Sequence, residues 1–306
     1  MARKPPMRAR MKNEIRIVSL GEVLWDLFPE GAKLGGAPAN FACHCQSLGA
    51  RASLVSAVGR DELGDEALRR LSERGVDVSC VRRVDDRGTG TVEVEVDPGG
   101  KPLFRIREAA AWDELEAGAE AKALVRAAQV VCFGTLAQRT VPGRRAVREL
   151  VAAASGDALR VCDINLRKPF VSADVIRESL RMADVLKLNE DELPELAAQF
   201  GLEGTAEDQV RVLAERFGLR IVVLTLGELG SCLLREGQWS REPGRAVQVV
   251  DTVGAGDAFT AVIVMGLLEG WTTQRLLERA TEVAAYVCTQ AGATPDLEGA
   301  GFRFEG

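Results

Sequence analysis

The chain has 306 residues, 46% of them apolar and 27% charged. Those proportions are those of a globular protein and exclude a disordered, collagenous or coiled-coil chain. A formal net charge of −6 and a pI near 5.2 argue against a nucleic-acid-binding surface as the main function.

Residues 1–13 hold Arg3, Lys4, Arg8, Arg10 and Lys12 with no acid and no apolar run, the composition of a frayed basic tail rather than a signal peptide. No apolar run reaches membrane-spanning length, so a cytoplasmic protein with no membrane partner is expected. Residues 15–20 and 52–58 read as short buried strands, and 62–74 as a helix with Leu63, Ala67, Leu68 and Leu71 on one side. Over 91–97, Val92, Val94 and Val96 alternate with Glu93, Glu95 and Asp97. The glycine-rich turn at 98–102 and the run 103–107 complete a hairpin with one solvated face. Strands are then expected at 129–133, 160–164, 184–188 and 220–225, with helices at 114–127, 142–154, 172–182 and 205–217. A further strand at 246–250 should lead into an apolar helix ending near 269. Apolar strands separated by helices imply a mostly parallel sheet covered on both faces, with ligands beyond its carboxyl ends. The simplest organisation is one domain over 14–306 with a small β appendage.

The seven cysteines are spread through mostly apolar runs, as expected of reduced thiols. Cys43-His44-Cys45 lacks a second pair at metal-ligand spacing, so it is assigned to a packed helix after Asn40.

Chemistry concentrates in a few segments. Asp251-Thr252-Val253-Gly254-Ala255-Gly256-Asp257 opens the last apolar helix, where glycines let several unpaired N–H groups face one point and the helix dipole favours an anion. Asp257 beside that point suits a general base acting on a hydroxyl; it could equally be an acid complementing the dipole. Gly35-Gly36-Ala37-Pro38-Ala39-Asn40 permits close backbone approach to a ligand and offers Asn40 as donor and acceptor, or is a plain strand-to-helix turn. Asp26 could accept bonds from sugar hydroxyls or cap a turn. Neither a P-loop nor a full dinucleotide fingerprint is present.

These two glycine segments resemble the signature regions of the ribokinase-like (PfkB) carbohydrate kinases. Segments 21–29, 110–113, 163–167, 189–192 and 225–230 resemble the fructokinase branch and follow in family order over nearly the whole chain. The resemblance implies a ribokinase-like α/β fold with a mostly parallel central sheet, helices on both faces, and a β-sheet lid from about 22–34 and 88–109. It implies transfer of the γ-phosphoryl group of ATP to a sugar hydroxyl, with Asp257 as base and Gly254, Ala255 and Gly256 as anion hole. At a helix N-terminus Asp257 should keep a low pKa. Asp26, Gly35, Gly36, Asn40, Arg105 and Arg167 match sugar-side positions, and Asn189, Thr225, Gly227 and Gly230 match nucleotide positions. Glu192 would order a hydrated Mg2+ or simply be a helix N-terminal acid; Asp251 and the Val253 carbonyl match a monovalent cation site, making K+ a candidate activator. A homodimer through the lid is a further expectation. Fructose is the leading substrate, with 2-keto-3-deoxygluconate or ribose as runners-up. A non-catalytic sugar- or nucleotide-binding regulator would be expected to have lost the base or an anion-hole glycine, and this chain retains both.

Overall fold

The computed structural model describes residues 14–29, 31–96 and 102–304, so the basic tail and the hairpin tip at 98–101 lie outside the described residues. In chain order the elements are β1 (Arg16–Leu20), β2 (Leu24–Phe28), β3 (Gly31–Gly35), α1 (Ala37–Ser47), β4 (Arg51–Gly59), α2 (Glu62–Glu73), β5 (Asp77–Val84), β6 (Gly90–Val96) and β7 (Pro102–Ile106). Then come α3 (Ala119–Ala127), β8 (Val130–Phe133), α4 (Val141–Ala153), β9 (Leu159–Asp163), α5 (Ala173–Met182), β10 (Val185–Asn189), α6 (Glu192–Phe200), α7 (Ala206–Phe217) and β11 (Ile221–Thr225). The chain continues with β12 (Ser231–Arg235), β13 (Gln238–Glu242), α8 (Ala255–Leu268) and α9 (Thr273–Cys288).

Thr140, Ser172, Thr205 and Thr272 accept a backbone N–H at the start of α4, α5, α7 and α9. Such caps satisfy donors a helix start leaves unpaired and make these boundaries readable from sequence. The main sheet has nine strands in the order β13-β12-β11-β10-β9-β8-β1-β4-β5. It is parallel from β11 to β5, and β12 and β13 form an antiparallel edge that the sequence reading did not anticipate. Order reverses at β1 and β8, which lie side by side, so their carboxyl ends diverge into a crevice. On one face α1 and α8 are buried almost all round, including Ala258–Leu267 of α8. A helix apolar on every side belongs inside a core.

A separate four-stranded sheet has the order β3-β2-β6-β7, built from the two segments expected to form the lid. Two boundaries differ from expectation. Residues 114–127 are not one helix: a 3-10 turn at Ala111–Glu114 precedes α3, because Gly118 starts the helix and Asp113 is held by Arg139 at 2.7 and 2.8 Å. Residues 246–250 are not a strand; Val247, Val249 and Val250 are exposed and β13 is already the sheet edge.

Candidate active site

The crevice at β1 and β8 opens into a small cavity lined by Ser19, Glu22, Pro38, Thr135, Asp163, Asn165 and Asp257. Gly254 is the N-cap of α8 at φ +81°, a conformation that favours glycine, and a Cβ there would overlap the Ala293 carbonyl. Ala258 N–H is bonded to Gly254 O at 2.9 Å, which leaves Gly256 and Asp257 with their N–H groups in the open first turn. Asn40 of α1 donates to Asp257 Oδ2 at 2.9 Å, joining the two glycine segments across 217 residues.

The low pKa expected for Asp257 is corrected here. Burial, then Asp163, push it up to about 7, with Glu22 adding to the rise against the opposing Asn40 hydrogen bond and Lys187 charge. Desolvation of this half-buried carboxylate, with the Asp163 charge beside it, outweighs the helix dipole. Such a group suits a base that takes a proton near neutral pH.

Below Asp257 lies a buried pair. Lys187 Nζ is 3.2 Å from Asp163, and β9 and β10 set these residues in register. The same ammonium would meet a Cβ on Gly256 at 3.1 Å, so it stands directly behind the glycine turn that opens α8. Burial opposes the Lys187 charge, but Asp163, Glu192 and Asp257 hold its pKa above the usual value. Glu22 is 3% exposed, and burial raises it to about 7 despite Arg167 and Arg139 nearby.

Toward the four-stranded sheet, Asp26 lies against Gly35, where a Cβ would come 2.5 Å from its carboxylate; a Cβ on Gly36 would come 2.6 Å from the Glu22 carbonyl. Burial raises Asp26 to about 6, opposed by Arg167 and Lys33 with Asp251 adding to the rise. Asp26 thus meets Gly35, Gly36 meets Glu22, Asn40 meets Asp257, and the Arg167 charge acts on both Asp26 and Glu22. Arg105 stands apart. It pairs with Glu93 in β6, next to Leu27, whereas Asp26 pairs with Val92 and Lys33. Paired residues share a face and neighbours alternate, so Arg105 projects from the opposite face of the sheet.

On the other side, Asn189 and Thr225 are register partners at the ends of β10 and β11, and a Cβ on Gly227 would meet Glu190 at 3.0 Å. Gly230 packs against 242–244. Leu229, Val247, Val249 and Val250 add exposed apolar surface. The Glu192 carboxylate accepts N–H groups of Asn189 and Leu166, each at 2.8 Å, tying the end of β10 to the loop carrying Arg167. Asp251 accepts the N–H groups of Val253 and Gly292 and faces Lys33 of β3 at 3.4 Å. Among the described residues, no group of three or more His, Cys, Asp or Glu stands at metal-binding spacing. Nor is any helix there long and apolar enough to cross a membrane.

The sequence reading missed Glu22, Asp163 and Lys187 as site groups. Their signal was a charge at the end of, or inside, an otherwise apolar strand, as in Val185-Leu186-Lys187-Leu188.

Comparison with known proteins agrees with this geometry. Residues 30–299 match the pfkB family carbohydrate kinase model. A sugar kinase of Pyrococcus horikoshii is 31% identical over 296 residues, 90% of this chain and 91% of that protein. Its crystal structure in complex with ATP has a TM-score of 0.78 at 29% identity, covering 91% of this chain and 94% of that one. Fructokinase-2 of Oryza sativa is 30% identical over 308 residues, with 92% and 90% covered. A Vibrio cholerae fructokinase solved with fructose, ADP and calcium has a TM-score of 0.79 at 25% identity, with 94% and 97% covered. A family match over most of the chain, the fold and the retained base-and-glycine turn lead to one conclusion: this protein belongs to the PfkB family of carbohydrate kinases.

Proposed function

We propose that the chain is a fructokinase, moving the γ-phosphoryl group of ATP to a hydroxyl of fructose. The observation that carries the mechanism is the Asp257 carboxylate, held by Asn40 at the open first turn of α8. The sugar rests against Asp26, Gly35, Gly36 and Asn40, with Arg167 at the rim. Ionised Asp257 accepts the proton of the attacking hydroxyl, and the N–H groups following Gly254 hold the transferring phosphoryl group while Lys187 adds positive charge behind them. ATP lies along Asn189, Thr225, Gly227 and Gly230, its base on the apolar rim of Leu229, Val247 and Val249.

Mg2+ carried by ATP would neutralise phosphate charge, and Glu192 is the residue that would hold it through water. A metal that keeps its waters needs few protein ligands, which suits a site without a carboxylate cluster. A monovalent cation, K+ first, is assigned to Asp251 and the Val253 carbonyl, because Asp251 already joins that loop to Gly292. Equal rates in sodium, potassium and ion-depleted buffer would remove this assignment. The four-stranded sheet acts as a lid that excludes water, the competing acceptor, and its outer face, with Ala32, Glu93 and Arg105 exposed, is the surface assigned to a homodimer.

Fructose is supported by fructokinase relatives that match over nine-tenths of the chain. A second reading, an acidic keto-sugar such as 2-keto-3-deoxygluconate, is favoured by the Arg167 and Lys33 charges that act on Asp26. The test is ATP-to-ADP turnover with magnesium over fructose, ribose, 2-keto-3-deoxygluconate, glucose and tagatose. Fructose selectivity supports the first reading, and selectivity for the acid replaces it with the second.

A further inference from the structure

We infer that His44 is a positioning residue for phosphoryl transfer: its imidazole holds the Ala293 carbonyl against Gly254 and so fixes the open first turn of α8. The inference rests on reading that turn as the phosphoryl-binding site.

Asn40 and His44 stand one turn apart on α1, so both project towards the same side. Asn40 bonds the Asp257 carboxylate at 2.9 Å, and His44 Nε2 lies 3.0 Å from Ala293 O. That carbonyl is the group a Cβ on Gly254 would strike. One helix thus grips the base directly and the N-cap beneath it through one intervening peptide. The Ala293 segment is tied elsewhere to loop 251–253 through Gly292 N–H and to α2's end through the Thr294 carbonyl and Arg74. His44 supplies its hold from the α1 side.

The ring is 1% exposed, and its Nδ1 is buried without a hydrogen-bond partner. A residue serving only to fill this space would not need to leave a polar atom unpaired, which costs free energy that an apolar side chain avoids. What the imidazole adds over an apolar group is one N–H aimed at a carbonyl. Burial pushes its pKa down to about 4, with the Ala293 and Gly254 carbonyls opposing the fall, so the ring is neutral near pH 7. A neutral ring bonded to a carbonyl through Nε2 carries its proton there, leaving Nδ1 bare. Ala293 and Gly254 face the ring as backbone carbonyls, and Arg74 is the charged group near it.

His44 is the only histidine, so its ring can be read without assignment in untagged protein. The experiment combines nitrogen NMR of histidine-labelled protein with kinetics of His44→Leu and His44→Gln. The expected spectrum is that of a neutral Nε2–H tautomer that stays unprotonated down to about pH 5. His44→Leu is expected to lower kcat at least about tenfold with the sugar KM changed less than about threefold, since a small misplacement of a catalytic turn is costly. His44→Gln, whose amide N–H reaches a similar point, should recover kcat to within about threefold of wild type. An Nδ1–H tautomer, a Leu variant within about twofold of wild type, or a Gln variant no better than Leu would each overturn the inference. If His44→Leu does not fold, the tautomer and the Gln variant still decide it. A wild type without turnover on any sugar would remove the kinase reading, whereas the tautomer would still test His44.

Discussion

The pocket floor and the four-stranded sheet carry similar chemistry in opposite settings. On the floor, Asp163, Lys187 and Glu22 are buried and Asp257 is half-buried, at or beside the carboxyl ends of β1, β9 and β10 and the start of α8. On the small sheet, Lys33, Glu93 and Arg105 are exposed, and only Asp26, half-buried against Gly35, shares the desolvation of the floor. Charges in water interact weakly and rearrange freely; charges in a dry floor shift one another's pKa and are held by packing. The difference teaches where each job belongs. Under the proposed function, proton transfer and phosphate stabilisation fall to the fixed, desolvated groups and sugar admission to the solvated sheet.

That contrast can be broken by substitution. Asp257→Asn should lower turnover about 10³-fold or more while ATP binding persists, a loss of the size expected for a general base; ADP release and calorimetry measure the two. Lys187→Met leaves Asp163 without its buried partner and should cost about 3–5 kcal/mol of stability in urea denaturation. A loss under about 1 kcal/mol would show the floor to be as solvated as the lid.

A subtler test uses pH. Asp257 must be ionised to act, and its pKa stands near 7, so kcat/KM should rise with pH up to about that value. Glu22→Gln removes a like charge and should move this acid limb to lower pH; an unmoved limb would separate Glu22 from the base. The same shifts have a stability sign. Asp257 and Glu22 are raised from 3.8 and 4.5 to about 7, so the folded chain keeps protons the unfolded chain has released. Their contribution is fully present below the unfolded values and is lost as pH rises through about 7. The smallest effect should be Arg105→Ala, within about twofold in kcat/KM, because the side chain leaves the sheet on the face away from Asp26. A large loss would mean that the outer face of the sheet reaches a sugar site.

Much of the fold was legible because its signals are local. Capping Thr140, Ser172 and Thr205 stand at the starts expected for α4, α5 and α7, and the alternation of Val92 and Glu93 marked a strand with one wet face; α9, also capped by a threonine, was not anticipated. Residues 246–250 misled for the same reason. Alternating valines resemble a strand whether or not a partner strand exists, and here they face solvent. In the site, glycine turns gave away Gly35, Gly36, Gly254 and Gly256. The groups around them did not announce themselves, since a lone charge in an apolar run shows neither its partner nor its depth.

By itself the sequence determined the alternation of strands and helices, the two glycine segments, and Asp257 beside a helix N-terminus, because each depends on near neighbours in the chain. Only the tertiary structure decided that Asn40 meets Asp257, that Lys187 backs Gly256, that Arg105 turns away from Asp26, and that Asp257 has a raised pKa. Register, burial and the sum of distant charges control these, and they exist only after residues hundreds of positions apart have packed together.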